Sequence, residues 1–341
     1  MMLELSYFKS TPVDIDTFIA DAQYLGKALN GGMYPYWLDK LKKLYPKGHY
    51  APAYSEVALS GALGTGKSVA AVVGFLYDLY LLTMLKNPHE VFNLRPESPI
   101  CPAIITADGS NTLLAEVIAD FIGMSPYFMA LLQKDSALDV ESLQPGMFPN
   151  NIGIARVFST STLLRRTLYG GIVDDTGLMV KRVTIDKVRS GRDFYESATV
   201  DALGKVTELY ESVWRHTISR FAAFPEVGMS CRMWLATGVS SMLDALVERR
   251  VDCNSSNMYT VSPTIWEAQE HKGIYSGIKF IVDIGTNMDV PCIVNDDAGL
   301  PKARVINVPV EYKHEFEKDI FAALRNLAGI RVRFKGAREV M

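Results

Sequence analysis

Cysteine is scarce and scattered in this chain. Cys101, Cys231, Cys253 and Cys292 form no CxxC pair and have no histidine at zinc-ligand spacing, which excludes a zinc ribbon and a disulfide framework. They read as buried thiols in a reducing cytosol. An excess of positive charge is missing too. The 35 Lys and Arg stand against 38 Asp and Glu, a formal net charge of −3, so any contact with nucleic acid must come from local basic clusters rather than a global field. The N-terminal stretch MMLELSYFKSTPVDID has neither a basic leader nor a continuous apolar run, and so does not read as a signal peptide. The most membrane-like run, Ser68 to Leu85, is broken by Asp78 and reads as a buried core helix rather than a span. No internal repeat, low-complexity tract or strong linker divides the 341 residues. That length suits one large α/β domain, or a core with a small appendage.

The most informative stretch present is Gly61-Ala62-Leu63-Gly64-Thr65-Gly66-Lys67-Ser68, a GxxxxGKS pattern behind Ser55 to Ser60 (SEVALS), which reads as a buried strand. A strand, a glycine-rich turn and a helix in that order are the setting of a phosphate-binding loop. The glycines let consecutive N–H groups curl around an anion, and the helix opening at Lys67 adds its positive dipole end. In this reading Gly61, Gly64, Thr65 and Gly66 shape the cradle, Lys67 reaches the β- and γ-phosphates of ATP, and the Ser68 hydroxyl ligates Mg2+. The bland alternative is a glycine-rich strand-to-helix turn.

Around this loop the pattern alternates. Residues 12 to 45 read as helical and amphipathic up to Pro46-Lys47-Gly48. Strands are expected at 55–60, 102–106, 152–158, 168–175 and 233–237, and helices after the loop, at 111–122, at 206–224 and from 242 to about 250. The tail reads as strands near 278–284 and 304–310 and a helix from 314 to 327. Strands alternating with helices predict an α/β fold: a three-layer sandwich with a mostly parallel central sheet and helices on both faces. Three parts are expected: a helical lead-in over 1–50, a nucleotide-binding core over 51–265, and a C-terminal part and linker over 266–341.

A phosphate loop alone does not separate a kinase from a hydrolase or a motor. A second acidic site decides more, and Gly171-Ile172-Val173-Asp174-Asp175 is an apolar strand ending in two acids. It sits where a Walker B element belongs, with Asp174 holding Mg2+ and Asp175 orienting or deprotonating the attacking water. The competing reading is a strand end with two solvated acids. The strand Met233 to Thr237 ends in Thr237, Ser240 and Ser241, small hydroxyls that could couple hydrolysis to movement or simply cap a helix. Charge stabilisation calls for an arginine. Arg165 and Arg166, just upstream of the acidic strand, could project toward a neighbouring subunit's nucleotide, with Arg189, Arg192 and Arg215 as further candidates. Tyr34, Tyr36 and Trp37 could stack on adenine, or pack as core aromatics.

Together these motifs resemble the N-terminal ATPase region of bacteriophage large terminase subunits, motors that pump double-stranded DNA into procapsids. The resemblance rests on the order and spacing of Pro35-Tyr36-Trp37-Leu38-Asp39-Lys40-Leu41, Glu56 to Ser68, Ser125-Pro126-Tyr127-Phe128, Gly170 to Asp175, Tyr210-Glu211-Ser212-Val213-Trp214 through Ser219-Arg220-Phe221, and Val308-Pro309-Val310-Glu311-Tyr312. It implies a P-loop NTPase fold of the ASCE type, in which ATP and Mg2+ are the cofactors. It also implies a homo-oligomeric ring with double-stranded DNA, a portal protein and a small terminase subunit as partners. The implied location is the host cell cytoplasm, transiently at the portal vertex, with no membrane. Three departures matter. The loop has Ala62 and Leu63 where many terminases carry an arginine. The usual Asp-Glu pair is Asp174-Asp175. The nuclease half expected after the ATPase region is missing from the 341 residues and is expected on a separate polypeptide or beyond Met341.

The basic run Lys181, Arg182, Lys187, Arg189 and Arg192, interrupted by Asp186, would grip phosphates without regard to sequence. A solvated loop is the alternative. Arg331, Arg333, Lys335 and Arg338 form a second cluster. Two other functions stay open at this point: a P-loop phosphotransferase acting on a small molecule, and a weakly hydrolysing, nucleotide-gated assembly subunit.

Overall fold

The computed structural model describes residues 5–30, 32–46, 54–109, 112–133, 139–163, 166–175, 191–221, 231–239, 243–254, 257–286, 288–296 and 299–332, the side chains of 5, 191–200 and 253–254 excepted. Six strands form the central sheet: β1 (Glu56–Leu59), β2 (Ile100–Ile105), β3 (Ala155–Val157), β4 (Thr167–Asp174), β5 (Met233–Ala236) and β6 (Met258–Val261). Their order is β3-β2-β4-β5-β1-β6, and every pairing is parallel. The expected mostly parallel sheet is thus parallel throughout.

The helices are α1 (Ile15–Ala20), α2 (Pro35–Leu44), α3 (Lys67–Met84), α4 (Pro88–Val91), α5 (Leu113–Met124), α6 (Pro126–Leu131), α7 (Gly191–Phe221), α8 (Leu243–Asn254) and α9 (Ile265–Ala268). Alternation along the strands sends side chains to two separate cores. Val57, Leu59, Ile104, Ile172 and Trp234 join α3, α1, α2 and α5 in one. Ala58, Ala103, Ile105, Val173, Met233 and Leu235 join α7 and α8 in the other. The sheet is therefore covered on both faces, giving three layers. Every residue of α3 except Ser68 and Val69 is buried, which explains why it reads as apolar all round. Among the described helices it alone is long and apolar enough to cross a membrane, yet 89% of that window is buried inside the protein.

A second, antiparallel sheet follows, made of β7 (Lys279–Asp283), β8 (Cys292–Val294) and β9 (Val305–Pro309) in the order β8-β7-β9. With α10 (Lys313–Lys318) and α11 (Ile320–Asn326) it encloses its own small core of Val282, Val308, Phe316, Ala323 and Leu324.

Two local readings are corrected by the structure, and one strand of the central sheet is added to them. Residues 12 to 45 are two helices, not one: Asp14 caps α1, whose last turn closes at Asp21, and α2 restarts with Pro35 at its first turn. Between them Asn30 adopts a left-handed φ of 48°. The helix expected at 314–327 splits at Asp319, which ends α10 while its carboxylate caps α11 through the Ala322 N–H. Strand β6 escapes notice because it is short and only half buried, with the pattern of an edge strand.

Candidate functional site

Parallel strands place all their C-terminal ends on one edge, so the register of three neighbours fixes what meets there. Leu59 of β1 pairs with Ala236 of β5, and Ala236 pairs with Asp174 of β4. The glycine loop after β1 and the acids ending β4 are therefore separated by one strand, about 10 Å at the usual strand spacing. The order also reverses around β1, since the chain leaves it toward β2 and later returns to place β6 on its other side. In open α/β sheets a crevice outside such a reversal is where ligands bind.

The loop is built as its glycines require. Gly61 has φ 101°, and a Cβ there would lie 2.6 Å from the Pro263 carbonyl oxygen. Gly66 stands at the N-cap of α3 with φ 87°. The first half of the loop is held from outside: Ala62 N–H donates to Pro263 O at 3.0 Å, and Leu63 N–H donates to Asn326 O at 2.8 Å. From below, Trp37 donates its indole N–H to Thr65 O at 2.5 Å. Trp37 is buried, so it props up the loop and offers no face to a base. Tyr36 packs edge-on against Trp37. Tyr34 lies beside Gly66 and against His271.

Lys67 is 8% exposed and its ammonium is satisfied within the loop, donating to Ala62 O at 2.5 Å. Burial pulls its pKa below the ordinary lysine value, and the charge of Asp175 opposes that pull. The lysine and the second acid are thus close enough for the charge of one to act on the other. The Ser68 residue on the next position is exposed.

Asp174 is buried at the end of β4. Asp175 accepts the Gly238 N–H at 2.7 Å through Oδ2, while its buried Oδ1 has no hydrogen-bond partner among the described residues. A buried carboxylate oxygen with no donor costs about 1–3 kcal/mol or more, a cost that a ligand or water at this edge would remove. Thr237 is fully buried. Its hydroxyl donates to Gly238 O and its N–H to Leu59 O at 2.9 Å, so with the Gly238 N–H on Asp175 the end of β5 is bonded to both flanking strand ends.

Arg166 lies elsewhere. It precedes the first residue of the eight-residue β4, hence roughly 25 Å from Asp174 at the usual rise per residue, and donates to Arg156 O. Arg215 stands on α7, exposed. Arg192 lies in the first turn of α7, and only its backbone is described. Arg165, Lys181, Arg182, Lys187, Arg189, Ser240 and Ser241 lie outside the described residues, as do Arg333, Lys335 and Arg338. Gly238, Pro263 and Asn326 carry no sequence signal for their parts here, because each acts through its backbone. No protein-family model matches this chain, and no curated protein sequence matches it significantly.

Proposed function

We propose that this chain is a P-loop ATPase of the ASCE type, and that it serves as the motor subunit of a viral terminase, coupling ATP hydrolysis to translocation of double-stranded DNA. One observation carries the reading: a GxxxxGKS loop and a pair of strand-terminal acids share one edge of a parallel sheet with a single strand between them. That insertion is what an ASCE arrangement calls for.

In this account the N–H groups around Gly64, Thr65 and Gly66 and the N-terminus of α3 hold the phosphates of ATP. Lys67 exchanges its bonds to loop carbonyls for the β- and γ-phosphates. The donor set suits Mg2+, because Ser68 and Asp174 offer hard oxygen ligands and the adjoining Asp175 has an oxygen with no donor among the described residues. Mg2+ would neutralise charge on the transferred phosphoryl group. Asp175 orients the attacking water and accepts its proton. Gly238 fixes one of its oxygens, so a nucleotide-dependent shift of Asp175 is felt directly at the end of β5. Thr237, Ser240 and Ser241 pass that shift on.

Arg166 stands too far from its own chain's loop to reach it. Charge stabilisation by Arg166 therefore requires a neighbouring subunit, in keeping with a homo-oligomeric ring, and the same role is proposed for Arg165. The same reading assigns the portal protein and the small terminase subunit as partners, with the nuclease supplied separately. The test is ATP hydrolysis with and without double-stranded DNA and procapsids. The motor account expects stimulation that disappears in Lys67→Ala; hydrolysis no faster with both present defeats it. Steady phosphate release without any acceptor separates the motor from a small-molecule kinase.

A further inference from the structure

A cavity of about 660 Å³ opens at the opposite pole of the sheet, between the segment before β2, the start of β4 and the last turns of α7. Arg95, Arg166 and Arg220 line it together with His216 and Ser98, and Glu97 is the one carboxylate in its wall. None of the three guanidinium groups is ion-paired among the described residues. Elsewhere Arg156, Arg232, Arg250, Arg304 and Arg331 each face a carboxylate, and the exposed Arg215 and Arg325 stand apart from this cavity, so what sets the three apart is that they converge on one concavity. Arg220 also sits in the final turn of α7, where a cation complements the helix dipole. That explains Arg220 but not the other two.

Three like charges around one concavity repel each other, and protein walls focus their field into it. The arrangement calls for a counter-charge. Guanidinium groups match phosphate in geometry, with parallel N–H donors on a planar fork, and the volume falls within the range of ligand pockets. Arg95, His216 and Arg220 are exposed, so the pocket is open along one side and suits a ligand that continues past it.

We propose that this arginine pocket is a second anion site, separate from the glycine loop, that grips phosphates of the DNA backbone. It contacts no base edge and so reads no sequence. The choice of DNA as the phosphate-bearing ligand rests on the motor reading above, whereas the anion site itself needs no nucleotide at Lys67.

The test is binding of a short fluorescent DNA duplex to the full chain, followed by anisotropy over a range of salt. The variant is Arg95→Gln/Arg220→Gln, which changes two exposed side chains and leaves Arg166, the candidate for action on a neighbour, untouched. Each comparison is repeated in a Lys67→Ala background, which removes the main cation of the glycine loop. With unchanged thermal melting, the double variant is expected to bind DNA about tenfold more weakly or worse, with the slope of log affinity against log salt shallower by about 2. An unchanged affinity and slope overturns the site. Binding of inorganic pyrophosphate is measured beside it by calorimetry, and a variant that loses only pyrophosphate binding, with DNA binding intact, overturns DNA as the ligand.

Discussion

Asp175 accepts the backbone N–H of Gly238 through one oxygen at 2.7 Å, and its other oxygen is buried with no hydrogen-bond partner among the described residues. The first contact locks the carboxylate's orientation, and the second leaves an acceptor at the same edge as Lys67. Asparagine preserves the shape and the bond to Gly238 but cannot take a proton. We expect Asp175→Asn to bind ATP within about threefold of the native chain while hydrolysis falls by roughly 100-fold or more, the usual worth of a general base. Single-turnover hydrolysis beside equilibrium binding checks this, and a native rate in the variant removes Asp175 from the chemistry.

Gly74 of α3 touches the Trp234 ring of β5, where an added Cβ would lie 2.1 Å from the indole Cη2. Trp234 cannot retreat easily, because it is fully buried and its N–H donates to Asp78 at 2.9 Å. Gly74→Ala should therefore destabilise the fold by about 1–3 kcal/mol through overpacking, despite alanine's better helix propensity. Urea unfolding measures it; a midpoint at or above the native one would show that the helix and sheet can part without cost.

Glu56 is fully buried at the start of β1 and takes two bonds from Arg250, at 2.8 and 2.9 Å, with the Tyr210 hydroxyl as a third donor. Removing the arginine strands a buried carboxylate. Arg250→Met is expected to cost about 3–5 kcal/mol, and Arg250→Met/Glu56→Gln to cost less than the single change. Denaturant midpoints of the two variants decide the matter.

Burial pushes the thiols of Cys101 and Cys231 up to about 12, whereas Cys292 is exposed. At pH 8 a thiol of that pKa is ionised in roughly one part in ten thousand. Of these three, a disulfide reagent should label Cys292 promptly in the folded protein, and Cys101 and Cys231 only after denaturation. Peptide mapping identifies the labelled residue, and prompt labelling at Cys101 would mean that β2 is accessible.

Much of the candidate site is legible in the sequence, because the glycine pattern from Gly61 to Ser68 and the acids after Val173 are local signals on apolar strands. The layers are legible for the same reason, since strands alternate with helices along the chain. What holds the loop in place is not. Trp37 reads equally well as a stacking surface or a core aromatic, and only its bond to Thr65 O shows that it braces the loop. Asn326 and Pro263 act through carbonyls, which every residue has. The split of the tail helix at Asp319 depends on one carboxylate choosing to cap rather than face solvent, a choice that helical spacing does not record.

The most direct measurement of the central claim is phosphate release from Mg2+-ATP by the native chain, Lys67→Ala and Asp174→Asn under identical conditions. The account predicts turnover by the native chain and its near abolition in both variants, with each still folded by circular dichroism. Turnover that survives either change, or a folded native chain with no affinity for ATP, would contradict it.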